Sequence, residues 1–221
     1  MDRTIKVTGR GKIAVKPDTI QLNITAEGTF KDYGETFKRS TEDTEKVRRA
    51  IADAGLDPKE LKTASFGINT EYEGYNDRNG NWKQRFKGYR YDHRMNLRFP
   101  IDNEVLGKVL YELSRCSVAV QFNMMYTVKD VEAVKNDLLA KAVSDSKAKA
   151  QVLAEASGVG LGEIVNIDYS WGELDIYSNP LTFGSKRMNS KMDCDEAAFD
   201  LDMEADDINV QDTVTILWEI K

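Results

Sequence analysis

The sequence predicts an α+β fold: two β-α-β-β-like units of largely antiparallel sheet, helices packed on one side, and one long projecting hairpin. Three observations carry this. Apolar residues alternate with polar ones along stretch after stretch, the period of a strand with one buried face. Two long stretches carry a helical period instead. The order strand, helix, strand, strand occurs at 13–101 and again at 118–220. A helix at 103–114 joins sub-units of about 1–101 and 118–221 into a single domain over 1–221. The repeat is architectural, with no residue-level identity behind it.

The elements follow in order. Ile5 and Val7, then Ile13 and Val15, alternate with polar residues, and Gly9-Arg10-Gly11 between them reads as a turn or bulge. Pro17-Asp18 is a break before the alternating run Ile20, Leu22, Ile24, Ala26. Asp32 is placed as an N-cap with Glu35 three residues on. Tyr33, Phe37, Thr44, Val47, Ile51 and Ala54 then keep helical spacing until Gly55 and Asp57-Pro58 stop it. Phe66, Ile68, Thr70 and Tyr72 form one strand face, and Asn79-Gly80 signals a hairpin. The return strand, about Phe86 to Ile101, sends Tyr89, Tyr91, His93, Met95, Leu97, Phe99 and Ile101 to one side. Arg90, Asp92, Arg94, Asn96 and Arg98 go to the other.

The helix at 103–114 has Val105, Leu106, Val109, Leu110 and Leu113 on its apolar side. Val118, Val120, Phe122, Met124 and Tyr126 alternate as a strand. A long helix from about Asp130 to Ser157 ends at Gly158. It carries a stripe of small residues, Ala142, Ser146, Ala150, Ala154 and Ser157, which reads as close packing. Val165, Ile167, Tyr169 and Trp171 predict a strand, 173–205 is irregular, and Val214, Ile216, Trp218 and Ile220 close the chain on one strand face.

The 221 residues are 41% hydrophobic, enough for one large domain or two small lobes. No run of 18 apolar residues exists to span a membrane. The net charge of -6 weighs against nonspecific binding to nucleic acid. The charge is uneven: seven Lys or Arg lie in 78–98, and eight Asp or Glu in 193–207. Two cysteines, Cys116 and Cys194, make no disulfide scaffold and read as free thiols. Met1-Asp2-Arg3 leads straight into a strand pattern. With Met1 as the native start this predicts a cytoplasmic protein; the alternative is a trimmed mature form from the periplasm or cell envelope.

The motifs that could carry chemistry fail one by one. A dinucleotide fingerprint needs a third glycine where Ala14 stands, and a helix where a β-branched strand follows. Gly158-x-Gly160-x-Gly162 follows a helix and precedes a strand, so it is a cap and turn. His93 is the only histidine; it sits on an apolar strand face, and a multi-His metal site is impossible. Read as a calcium loop from Asp193 to Glu204, the acidic run has Ala197 and Ala198 at the fifth position and at the required glycine. It predicts a solvated acidic loop. The segment 72–98 interleaves aromatics with cations, as a single-strand nucleic-acid platform would. Alternation, however, puts Tyr89 and Tyr91 on one face and the arginines on the other, and Glu71 and Glu73 stand opposite as charge partners. Nucleic-acid binding is therefore disfavoured. The hairpin tip, with Tyr75, Trp82 and Phe86, is the better place for contact with another protein chain.

Four pieces span nearly the whole chain: Ile5-x-Val7-x-Gly9-x-Gly11 with Val15-x-Pro17-Asp18; Gly88-Tyr89 then Met95-x-Leu97-x-Phe99; the Ala-rich helix from Ala140 to Ala154 closed by Gly158 and Leu161-Gly162; and Asp207-Ile208 to Val214-x-Ile216-x-Trp218. In this order and spacing they resemble the SIMPL domain family, a bacterial domain of unknown function. The resemblance implies an α+β domain that self-associates into rings or channel-like assemblies. It implies relatives that are periplasmic or surface antigens, some tied to oxidative-stress defence, and it supplies no catalytic residue. Without a leader, the chain is more similar to the signal-less intracellular branch.

The sequence thus predicts a non-enzymatic, self-associating homo-oligomer acting through protein contacts, with no cofactor and no metal, and interaction residues Tyr75, Trp82 and Phe86. The alternative is a small-ligand or divalent-cation binder, or an enzyme, using the 193–207 loop and Cys194.

Overall fold

The structure is a computed structural model that describes residues 3–118, 120–169, 174–182 and 203–221. The segment 193–202, with Cys194 and most of the acidic run, lies outside the described residues, as does Trp171. The chain divides into two compact units that cut across the halves 1–101 and 118–221. One gathers residues 1–18, 127–178 and 205–221; the other holds 19–126 and 179–204.

The first unit contains β1 (Thr4–Val15). In the second lie β2 (Thr19–Phe30), α1 (Tyr33–Asp53), β3 (Lys62–Asn76), β4 (Trp82–Pro100) and α2 (Asn103–Arg115), followed by β5 (Val120–Thr127), whose last residue belongs to the first unit. The first unit resumes with α3 (Val131–Ala156) and β6 (Leu161–Asp168). The two-residue β7 (Leu181–Thr182) returns to the second unit, and β8 (Ile208–Ile220) closes the first. The sheets run β1-β8-β6 and β3-β4-β2-β5-β7. The pairings β1–β8, β6–β8, β2–β4, β3–β4 and β5–β7 are all antiparallel.

In the first unit, β1 and β8 pair without a break from Thr4↔Glu219 to Val15↔Ile208. The turn expected at Gly9-Arg10-Gly11 is absent: both glycines are paired strand residues, opposite Val214 and Asp212. Their purpose is space. A Cβ on Gly9 would stand 2.0 Å from the Ala142 carbonyl oxygen and 2.5 Å from the Ser146 nitrogen, and one on Gly11 would stand 2.1 Å from the Leu138 carbonyl oxygen. The strand backbone thus lies directly against α3. The helix answers with its small residues: Ala142, Ser146, Ala150 and Ala154 are all buried. Ser157, expected in the same stripe, is the exposed C-cap instead. Ser146 Oγ donates to the Val7 carbonyl at 3.2 Å, and the Arg10 backbone N–H donates to Asp145 Oδ2 at 2.7 Å. Val7, Val214, Ile216 and Trp218 fill the remaining space beside Ala142 and Ala150. The other end of α3 sets Leu138 against Ile208 and Val210.

Asp130 caps α3 by accepting from the Ala133 N–H, and Gly158, with φ 70°, turns the chain out of the helix. β6 is the outer strand of this sheet. Its Val165 and Ile167 are about half exposed.

The second unit is built on the β2–β4 pair, where Ile20, Leu22 and Ile24 oppose Phe99, Leu97 and Met95. All six are buried, as are Val47 and Ile51 of α1 and Leu106, Val109, Leu110 and Leu113 of α2. Each such side chain contributes about 1.5–3 kcal/mol when removed from water. Asp32 caps α1 by accepting from the Glu35 N–H at 3.0 Å, and Asp102 caps α2. Beyond the region covered by α1, β3 and β4 continue as a long hairpin to a turn at Asp77–Asn81, with Gly80 at φ 81°.

The role of Gly9 has a direct test. Gly9→Ala is expected to lower stability by about 1–3 kcal/mol, a drop of roughly 2–12 °C in melting midpoint. Gly67→Ala, whose added Cβ would meet nothing closer than 3.7 Å, is the control. Equal midpoints for the two variants would overturn the close-approach account.

Candidate functional site

The β3–β4 hairpin has two faces of opposite chemistry, and a single extra residue creates that separation. At its base, Thr70 opposes Tyr89 and Ile68 opposes Tyr91; at its tip, Tyr72 opposes Phe86 and Asn76 opposes Trp82. Lys87 has no opposed residue on β3 in this register, so it is a bulge on β4. The bulge reverses the parity of β4. The odd residues Tyr89, Tyr91 and His93 share a face with the even residues Phe86 and Trp82, and the aromatic face runs on past the bulge.

This face is a string of edge-to-face ring contacts. Tyr33 at the start of α1 meets Tyr89 at 5.5 Å between centroids, Tyr89 meets Phe86 at 5.3 Å, and Phe86 meets Tyr72 at 5.9 Å. A second string joins Phe37, Phe66 and His93. At the tip, the Trp82 ring lies over Gly74, where a Cβ would stand 2.0 Å from the ring. The exposures are large for such residues: Phe66 44%, Tyr72 56%, Trp82 67% and Phe86 41%.

The sequence placed Tyr75, Trp82 and Phe86 together. The structure brings Trp82 and Phe86 onto one face and puts Tyr75 on the other, opposite Lys83 and under the Arg85 guanidinium at 5.7 Å. Tyr72, Phe66, Tyr33 and Phe37 complete the aromatic face and were not singled out. Phe66 and Tyr72 are signalled by the even-numbered run along β3, and Tyr33 and Phe37 by the helical spacing of α1, but the bulge that sets Phe86 beside them has no sequence signature.

The opposite face is a ladder of charges. Glu27 pairs with Arg90, Glu71 with Lys87 at 2.8 Å, Glu73 with Arg85, and Asp77 with Lys83 at 2.9 Å. Arg94 meets Asp92 at 3.2 Å, and Arg98 Nε donates to Gln21 Oε1. Glu71 is held below the usual carboxylate range by Lys87 and then by the Thr29 hydroxyl. Asp77 is lowered by Lys83 and by the Asn81 backbone N–H. The Arg90 guanidinium is raised by Glu27. These cations face carboxylates, so the surface is a poor phosphate cradle.

Where α1 covers the hairpin base, polar side chains pin it. The Tyr91 hydroxyl donates to Asp43 Oδ2 at 2.6 Å; burial and that carboxylate push the phenol upward. His93 is buried between two hydroxyls, with Thr44 Oγ1 2.9 Å from Nδ1 and Thr63 Oγ1 2.9 Å from Nε2. It is a core histidine. Among the described residues, no three His, Cys, Asp or Glu side chains are grouped to hold a metal ion, and no helix is long and apolar enough to cross a membrane. Cys116 is a free thiol at the end of α2.

A family model described as SIMPL, protein of unknown function (DUF541), matches residues 5–218. The chain belongs to the SIMPL family. This SIMPL chain is 30% identical over 163 residues to the 26 kDa periplasmic immunogenic proteins of Brucella melitensis and Brucella abortus. The match covers 74% of this chain and 65% of each relative, just under two thirds of their length. Among solved structures, the regulatory subunit of aspartate kinase from Thermus flavus aligns over 97% of the SIMPL chain and 89% of its own. The identity is 8% and the TM-score 0.16, too low to carry an argument.

Burial, and then Arg48, depress the His93 imidazole below its ordinary 6.5, while Asp92 opposes them. The folded state therefore holds it neutral while the unfolded chain takes up a proton as pH falls past 6.5. Stability is expected to drop from there down to the lowered folded-state value. His93→Gln should flatten that dependence in urea unfolding at pH 7.5 and 5.5. A variant with the wild-type slope would exclude His93 as its source.

Proposed function

We propose that this chain is a non-enzymatic protein–protein interaction module that self-associates through the β3–β4 hairpin. The observation that carries this is the exposed aromatic face of Phe66, Tyr72, Phe86 and Trp82, continuous with Tyr33 and Phe37. Large aromatic side chains held rigidly by neighbouring rings lose little conformational entropy on binding, and such residues dominate interface energetics. The charge ladder behind them stiffens the hairpin and keeps its other face in water.

The names of the Brucella relatives support a periplasmic or cell-envelope setting over a cytoplasmic one.

Sedimentation velocity across a concentration series tests the reading. The wild type is expected to associate. Trp82→Ser with Phe86→Ser should weaken association at least tenfold, since truncating one interface aromatic costs about 2 kcal/mol. The fold should survive, as circular dichroism would show, because the buried core of Ile20, Leu22, Met95 and Leu97 is untouched. A wild type that stays monomeric at high concentration would defeat the proposal.

A further inference from the structure

We infer that the outer edge of β3 pairs antiparallel with the same edge of a second copy, in a register centred on Asn69. This rests on the self-association proposed above and names the surface that performs it.

The first observation is the edge itself. β3 is the terminal strand of its sheet and 15 residues long, so along its outer side the backbone N–H and C=O groups have no sheet partner among the described residues. Monomeric proteins block such edges with proline, lysine or bulges. From Ser65 to Glu73 there is no proline and no lysine. The one bulge on β3, at Ala64, ends just before this stretch; the other extra residue, Lys87, belongs to β4. The two carboxylates here, Glu71 and Glu73, are already matched by Lys87 and Arg85 of the same hairpin.

The second observation is that the edge is complementary to itself. A two-fold axis perpendicular to the sheet keeps each face on its own side, so opposed residues must share a face. A centre at Glu71 sets that carboxylate against itself, and one at Tyr72 sets Glu71 against Glu73. Both place like charges opposite one another. A centre at Gly67 sets Phe66 against Ile68, one at Ile68 sets it against Thr70, and one at Thr70 sets it against Gly74, so none of these three opposes ring to ring. A centre at Asn69 sets Phe66 against the second copy's Tyr72, and Tyr72 against its Phe66. Ile68 then meets Thr70, and Glu71 and Glu73 meet Gly67 and Ser65. Two aromatic cross-strand pairs form, no like charges meet, and the exposed aromatic faces of two hairpins become one surface. A second copy therefore fits this edge as an occupant, with the chain's own side chains selecting the register.

Charge reversal at the centre tests the inference, because residue 69 would face its own copy. Asn69 is exposed, so substitution should leave the melting midpoint near wild type. Asn69→Lys alone and Asn69→Glu alone should each sediment as monomers, and an equimolar mixture should associate at low salt. As a second readout, Asn69→Cys with Cys116→Ser and Cys194→Ser should oxidise to a covalent dimer, since opposed Cα atoms in antiparallel strands lie about 4.5–5.5 Å apart. Glu73→Cys in the same background should not, because its symmetry mate is displaced along the strand. If Asn69→Lys associates like wild type, or Glu73→Cys cross-links as readily as Asn69→Cys, the β3 register is wrong. Loss of association in Trp82→Ser/Phe86→Ser alone would then leave the aromatic-face reading standing. A monomeric wild type would remove both.

Discussion

The length of a strand relative to the helix that covers it governs this molecule. β4 has 19 residues, about 60 Å when extended, whereas the 21 residues of α1 rise only about 30 Å. One helix therefore cannot shield the whole strand. Within the covered part, Tyr91, Met95, Leu97 and Phe99 are buried. Beyond it the apolar pattern continues without a partner. The other sheet shows the matched case: α3, with 26 residues, rises about 39 Å against a strand of 12 residues and about 40 Å. There the apolar face is closed by backbone approach and small side chains. The two units thus solve the same packing problem differently, and only the second leaves a broad aromatic face in solvent.

The long hairpin must still hold itself together beyond α1, because an isolated two-stranded hairpin is marginal in water. It does so on both faces. On one, rings contact edge to face from Tyr33 to Tyr72 and Trp82 covers Gly74. On the other, Glu27, Glu71, Glu73 and Asp77 alternate with Arg90, Lys87, Arg85 and Lys83. Exposed ion pairs are individually weak, about 0–1 kcal/mol, but several in a row define a register. The cations that made this segment look like a nucleic-acid platform are engaged in that task.

Local features were well expressed in the sequence. The N-cap at Asp32, the start of α3 near Asp130, the stop at Gly158, the turn at Asn79-Gly80 and the buried face of β4 each depend on residues within a few positions of one another. Features that depend on distant parts of the chain were not readable. Gly9 and Gly11 look like a turn in isolation; only the approach of α3, more than a hundred residues away, explains them. The pairing of β1 with β8 joins opposite ends of the chain, so strand patterns alone could not reveal it. At the hairpin, Trp82 and Phe86 were recognisable as exposed aromatics. Tyr75 turns to the other face, because the unpaired residue on β4 shifts the alternation of one strand against the other.

The bulge at Lys87 has a consequence for how this hairpin can vary among relatives. One residue decides which chemistry the tip shows on which side. Loss of that residue, or gain of any odd number in the same strand, would rotate the tip by half a turn relative to its base and exchange the aromatic and charged sides. Insertions and deletions that preserve the surface must therefore come in pairs, or fall in the Asp77–Asn81 turn. Hairpin length can drift in steps of two while the identity of the outward face is inherited unchanged.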